Sequence, residues 1–306
     1  MLLLRQMIIL FLLMATGYIL KKINIISPAG EKTMSGIVVN VANPALVLSA
    51  AINPESTISG RELADTTLLA VAVYAVFLVL AFLFPLAIRA TASSRGAYSV
   101  MMVFSNIGFM GFPLLSAMYG AEALLYATPF MIIYNVLIYT YAVALMDRGH
   151  KWDLKHTLGK IFNVGVLACI ITIILYLTRL RVPDFIETTV GHLSALTAPL
   201  SMMVIGASMT DMKLRELFTD FRLIIFCAVK LLIIPVAGVF CIKALGVSPM
   251  LTGVCLIMLG TPVGSMTAMM ADQCGSPDYP LVAKGVALST VLSVATLPLA
   301  FSVTGI

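Results

Sequence analysis

Charge is what this chain has least of. Only 11% of its 306 residues are charged, against about 25% in a soluble domain, while 60% are hydrophobic. So little charge cannot clothe a water-exposed surface of this size, which excludes an ordinary soluble globular protein and requires lipid as the solvent of the outer faces. The net charge of +5 is too small to point to nucleic acid. No G-x4-G-K phosphate cradle and no G-x-S-x-G elbow occurs, which counts against an ATP-driven pump and a serine hydrolase. The five cysteines (Cys169, Cys227, Cys241, Cys255, Cys274) form no C-x-x-C pair, and four lie inside apolar runs, so they read as small core hydrophobes. His150, His156 and His192 have no metal-ligand spacing. Neither a metal site, a catalytic residue nor a cofactor is expected.

Ten apolar runs are present, at about 2–20, 33–50, 66–88, 97–118, 123–146, 159–178, 188–209, 221–242, 249–270 and 282–304. They predict helices, because a bilayer admits only helices and closed barrels. Connections are short and carry Pro, Gly, Ser or charge, as at 53–56 and in the basic stretch from Arg148 to Lys160. The first run carries only Arg5 near its start and is followed by Lys21-Lys22, the reverse of a cleavable signal, and is expected to be a retained helix. With the N-terminus outside, the inward loops hold Lys21, Lys22, Lys32, Arg89, Arg95, Arg148, Lys151, Lys155, Lys160, Lys213, Arg215, Arg222 and Lys284. The outward loops hold only Arg5, Arg61, Arg179, Arg181 and Lys243. Positive charge favours the cytoplasmic side, so a multi-pass protein of the cell (inner) membrane with both termini outside is expected.

Prolines inside the runs recur at close to half the chain length: Pro44 with Pro199, Pro85 with Pro235, Pro113 with Pro262. Gly111-Phe112-Pro113-Leu114 also rhymes with Gly260-Thr261-Pro262-Val263. The expected fold is an all-α membrane protein of ten transmembrane helices, arranged as two five-helix repeats, 1–150 and 151–306. An odd number of spans per repeat inverts the second. Inverted repeats with interrupted helices in matching places mark the binding region of secondary transporters. The bland alternative is that each proline is a separate structural kink.

The fourth run contains Ser105-Asn106-Ile107-Gly108-Phe109-Met110-Gly111-Phe112-Pro113, and the ninth Gly260-Thr261-Pro262-Val263-Gly264-Ser265-Met266-Thr267. Glycine removes bulk and proline removes a donor, so both runs should unwind locally and free backbone polar groups. Such backbone must line protein or a watered cavity. Asn106, Gly111, Pro113, Thr261, Pro262, Ser265 and Thr267 are therefore candidate substrate-binding residues. Asn135 and Tyr139 lie one turn apart in the fifth run and join them; equally, Asn135 could simply bond a neighbouring helix. Lys230 is about 12 Å into the eighth run from Arg222. A central lysine costs roughly 2.5–3.5 kcal/mol or more, and no acidic residue lies deep in any run: Asp65, Glu122, Asp147 and Glu187 are near ends. A buried cation without a carboxylate suggests an anionic substrate; snorkelling, or pairing with carbonyls at a proline break, is the structural alternative. The coupling ion, H⁺ or Na⁺, is left open, because sodium sites can be built from carbonyl and hydroxyl oxygens alone. A passive channel on the same frame is the rival reading. An intramembrane enzyme is disfavoured, since no catalytic dyad occurs in the runs.

The stretch Pro199-Leu200-Ser201-Met202-Met203-Val204-Ile205-Gly206-Ala207-Ser208-Met209 resembles the P-L-x5-G-A-S-L motif of the auxin efflux carrier family. Asn106 to Pro113, Gly17-Tyr18-Ile19-Leu20 and Asn43-Pro44-Ala45-Leu46 are similar to that family too. The resemblance implies the fold shared with bile-acid/sodium symporter-like proteins, in which broken helices 4 and 9 cross. Helices 1, 2, 6 and 7 would form a scaffold, and helices 3–5 and 8–10 a moving, elevator-type transport domain. It further implies a small organic anion as cargo: auxin in plants, malonate, malate or similar carboxylates in bacteria. Asn106 and Asn135 fall at the family's polar substrate contacts, and Pro113 and Pro262 at its crossover prolines. A homodimer through the scaffold helices would fit. The chain lacks the long central loop of the plant carriers and has Asn135 where they have Gln, so it is more similar to bacterial members.

Overall fold

The computed structural model describes residues 2–52, 59–146, 158–159, 161–211 and 218–306. The connection at 53–56, the basic stretch with Asp147, Arg148, His150, Lys151, Lys155, His156 and Lys160, and the loop with Lys213 and Arg215 lie outside the described residues. The helices are α1 (Leu2–Lys22), α2 (Pro28–Ile52), α3 (Gly60–Ala87), α4 (Arg95–Val103), α5 (Ile107–Tyr119) and α6 (Glu122–Met146). They continue with α7 (Val164–Thr178), α8 (Asp184–Ser208), α9 (Phe221–Ala244), α10 (Pro249–Gly260), α11 (Ser265–Gln273) and α12 (Tyr279–Thr304). Helix lies over each of the ten apolar runs, with the fourth run divided into α4 and α5 and the ninth into α10 and α11. Among the described residues no strand forms, and the only bridge of β type joins Ser105 to Val263.

Side-chain caps set where the helices begin. Ser59 and Glu62 form a reciprocal capping box: the Ser59 amide donates to Glu62 Oε2 at 2.8 Å and the Glu62 amide to Ser59 Oγ at 3.1 Å. Ser27, with Pro28 behind it, accepts from the Gly30 amide; Ser248, with Pro249 behind it, accepts from Leu251; Asn163 accepts from Val166 and Asp220 from Arg222 and Leu223. Each cap satisfies donors that the first helical turn leaves free. These caps move the start of α2 and of α3 upstream of the apolar runs expected at 33 and 66. Capping turns are polar, so periodicity alone reads them as loop.

Three intramembrane prolines are met by a π-helical turn just before them: Val38–Ala42 before Pro44, Ile107–Gly111 before Pro113, and Val229–Ile233 before Pro235. The wider turn is one way to clear the proline ring from the carbonyl one turn back without ending the helix. A fourth π turn, Ile138–Ala142, lies in α6. The proline pairs do not share local geometry. Pro85 sits in uninterrupted α3 and Pro199 in the first turn after Leu196 in α8, while Pro262 lies in extended backbone.

The chain divides into two compact units, each assembled from separated segments. One comprises Met1–Thr67, Ile107–Ile132 and Phe162–Asp211; the other Leu68–Asn106, Ile133–Ile161 and Met212–Ile306. In the first, α1 lies tightly against the second part of α8. A side chain at Gly206 would collide with the Met14 carbonyl and one at Gly17 with the Met203 carbonyl, so only glycine allows the two backbones to come this close. This crossing gives a physical reason for the Gly-Ala-Ser and Gly-Tyr-Ile-Leu motifs. In the second unit, α3 buries Ala70, Tyr74, Phe77 and Ala81 at helical spacing, yet Leu68 and Phe82 on its other side stay 70% and 69% exposed. An outer face as apolar as the inner one suits lipid. Six helices (α2, α3, α6, α8, α9, α12) are long and apolar enough to cross a bilayer, and α5, α7 and α10 are shorter apolar helices.

Candidate functional site

The second unit contains two helix breaks that face each other. At the first, α4 stops at Val103 and Phe104 turns extended (φ −102°, ψ 102°). At the second, α10 stops at Gly260, and Thr261 (φ −65°, ψ 148°) and Gly264 (φ −66°, ψ 130°) are extended before α11 starts. The two extended stretches run antiparallel. The Asn106 amide donates to the Pro262 carbonyl at 2.7 Å, and the Gly264 amide to the Phe104 carbonyl at 2.9 Å. A Cβ on Gly264 would come within 3.0 Å of both the Ser105 carbonyl and the Tyr134 hydroxyl, so the approach requires glycine there.

Backbone freed by a break must find partners, since an unpaired buried amide costs as much as a lost hydrogen bond. Here side chains complete the pairing. The Val263 amide donates to Ser289 Oγ of α12 at 3.0 Å. The Thr267 hydroxyl donates to the Gly264 carbonyl at 2.6 Å, and the Thr261 hydroxyl turns back to Met258 at 3.4 Å. Phe104 and Tyr134 pack edge to face, 5.2 Å between ring centres.

Lys230, in the π turn of α9, is 0% exposed. Its ammonium donates to the Met102 carbonyl at 2.9 Å and to Ser105 Oγ at 2.8 Å, and lies 4.1 Å from the centre of the Phe77 ring. It thus caps the C-terminal end of α4, where free carbonyls carry negative partial charge. Among the described residues no carboxylate pairs with Lys230, whose partners are a carbonyl, a hydroxyl and a ring face.

The residues singled out from sequence divide unevenly. Asn106, Thr261, Pro262, Ser265 and Thr267 lie at the two breaks, and Lys230 bonds the residue before Asn106. The Asn106 side chain is 3% exposed, and its Nδ2 has no hydrogen-bond partner among the described residues. Ser265 opens α11 and is half-buried. Asn135 is buried on α6 and Tyr139 half-buried within that helix's π turn; their neighbour Tyr134 is the one seen against the break. Gly111 and Pro113 belong to the other unit. The expectation that they unwind the fourth run is corrected: Gly111 is helical (φ −62°, ψ −53°), a π turn accommodates Pro113, and the unwound backbone lies upstream at 104–106. Sequence reasoning did not single out Ser105, Phe77, Tyr134, Gly264 or Ser289 as site residues. Ser105 had a signal as the polar neighbour of Asn106 in an apolar run, and Gly264 as one of the glycines expected to unwind the ninth run.

The chain matches the membrane transport protein family over residues 2–301. It is 22% identical over 301 residues to an uncharacterised transporter of Methanocaldococcus jannaschii, covering 95% of this chain and 96% of that one. It is 24% identical over 290 residues to an uncharacterised transporter of Methanothermobacter thermautotrophicus, covering 94% and 93%. Lipid-suited helices and broken, mutually bonded backbone in one unit agree with this. The chain is a multi-pass membrane transport protein, not an enzyme, and belongs to the membrane transport protein family of auxin efflux carriers.

Proposed function

We propose that this transporter carries a small organic anion, a carboxylate such as malonate or malate or an auxin-like acid, by secondary active transport with elevator-type alternating access. In this reading ten spans form two inverted repeats, 1–150 and 151–306, in the cell membrane with both termini outside. Runs 1, 2, 6 and 7 act as scaffold and dimer contact, and runs 3–5 and 8–10 carry the substrate. The anion sits at the paired breaks, in reach of Asn106, Asn135, Tyr139 and Ser265. Thr261, Pro262 and Thr267 shape the unwound backbone, while Gly111 and Pro113 hold the helix that follows.

The observation that carries the anion reading is Lys230. A buried ammonium stands directly behind Ser105, beside the Asn106 side-chain Nδ2, a donor with no partner among the described residues. A positive charge one shell from an unused donor favours a carboxylate over a neutral or cationic cargo. Thermal unfolding of the purified protein with malonate, malate, indole-3-acetate and a matched set of alkylamines tests it. A bound cargo stabilises by mass action, about 2.7 kcal/mol at a hundred times its Kd. The carboxylates should raise the midpoint and the amines should not. Stabilisation by amines alone would reverse the sign of the cargo.

A further inference from the structure

Lys230 bonds the kinds of oxygen that transporters with broken helices use to hold a coupling cation. Unwound carbonyls and the C-terminal ends of half-helices are the oxygen ligands of Na⁺ in such folds. Here the corresponding oxygens are the Met102 carbonyl, in the last turn of α4, and the hydroxyl of Ser105 in the break. Both are already bonded, and the atom bonded to them is the chain's own Nζ. The third side is the face of Phe77, 4.1 Å to its centre. A lysine has three N–H donors, and a carbonyl, a hydroxyl and a ring face give each a partner. An aromatic face suits an ammonium but leaves an alkali ion short of oxygen.

We infer that Lys230 is a tethered cation: its ammonium fills the cation position at the α4 break, holds the two breaks in register through Ser105, and removes any need for Na⁺ to bind there. The side chain is anchored far from its partners in sequence, in the π turn of α9, so it ties α9 to the crossing of the two extended stretches. Because the side chain is covalently held, the group that fills this position cannot diffuse away from it. The consequence for transport, that anion movement does not draw Na⁺ to this position, rests on the anion-carrier reading. The occupancy of the position does not.

The test reads stability. The wild-type protein is unfolded thermally in NaCl and in N-methylglucamine chloride at equal ionic strength, and the two midpoints should coincide. Lys230→Ala removes the propylammonium portion of the side chain, so its midpoint should fall. It should regain most of the loss in n-propylammonium chloride, part of it in NaCl, and none in 1-propanol, the neutral analogue. Lys230→Met refills the space without charge; it should remain below wild type and ignore propylammonium. Any of three results overturns the inference: wild-type protein stabilised by Na⁺ over N-methylglucamine, Lys230→Met as stable as wild type, or rescue of Lys230→Ala by 1-propanol as well as by propylammonium. The wild-type comparison stands even if neither variant folds. A wild-type protein that ignores carboxylates but behaves as stated toward cations would count against the cargo reading alone.

Discussion

At the scale of single residues, each helix break is stable only because particular side chains take the hydrogen bonds the helix has given up. Ser289 is the plainest case. It lies in the middle of α12, where a serine has no helical reason to be, and accepts the Val263 amide at 3.0 Å. Ser289→Ala leaves that buried amide unpaired and should cost about 1–3 kcal/mol. The fall should be visible as a lowered unfolding midpoint, and Ser289→Thr, which keeps the hydroxyl, should recover much of it. An alanine variant as stable as wild type would mean that the Val263 amide has another partner. Lys230 was legible in the sequence as an anomaly, because a deep lysine without an acid is costly anywhere in a bilayer. Its partners were not legible. Met102 and Ser105 are 128 and 125 residues away, and no local pattern links α9 to α4.

At the scale of helical elements, the apolar runs could be read because the solvent demands them: every lipid-facing position must be apolar, whatever it packs against. The ends were less legible, since the Ser59/Glu62 box and the Ser27 cap are made of residues that resemble loop. The kinks were least legible of all. Pro113 and Pro262 look like counterparts in sequence, yet one follows a π turn in a continuous helix and the other stands in extended backbone with its carbonyl bonded to Asn106. The physical difference is what surrounds the missing N–H. A helix can absorb a proline by widening one turn, or it can stop. The two variants should therefore differ. Pro262→Ala restores a donor and lets α10 run on toward α11, and should weaken malonate stabilisation of the protein by more than tenfold in apparent affinity. Pro113→Ala acts inside a helix that already continues, and should change affinity by less than about threefold, a shift well under 1 kcal/mol. Equal losses in both would return Pro113 to the break.

At the scale of the whole molecule, each of the two units draws segments from both halves of the sequence, which the repeat expected from prolines alone does not reveal. The orientation proposed from the positive-inside bias makes one strong demand. A cysteine placed at Glu122, where α6 starts, should react with a membrane-impermeant maleimide added to intact cells, in a background where exposed Cys241 is replaced by serine. Labelling only after the cells are opened would invert the topology, and with it the assignment of inner and outer loops.

The central claim is that the broken backbone of the second unit is the working site of an anion carrier, and counterflow in proteoliposomes addresses it directly. Vesicles of wild-type protein preloaded with unlabelled malonate should take up labelled malonate several-fold faster than empty vesicles, because a carrier returns faster when loaded. Asn106→Asp exchanges the unpartnered amide donor for a negative charge and should abolish that uptake while the protein stays folded. Uptake that ignores internal malonate would indicate a channel, and undiminished counterflow in Asn106→Asp would place the site elsewhere in the chain.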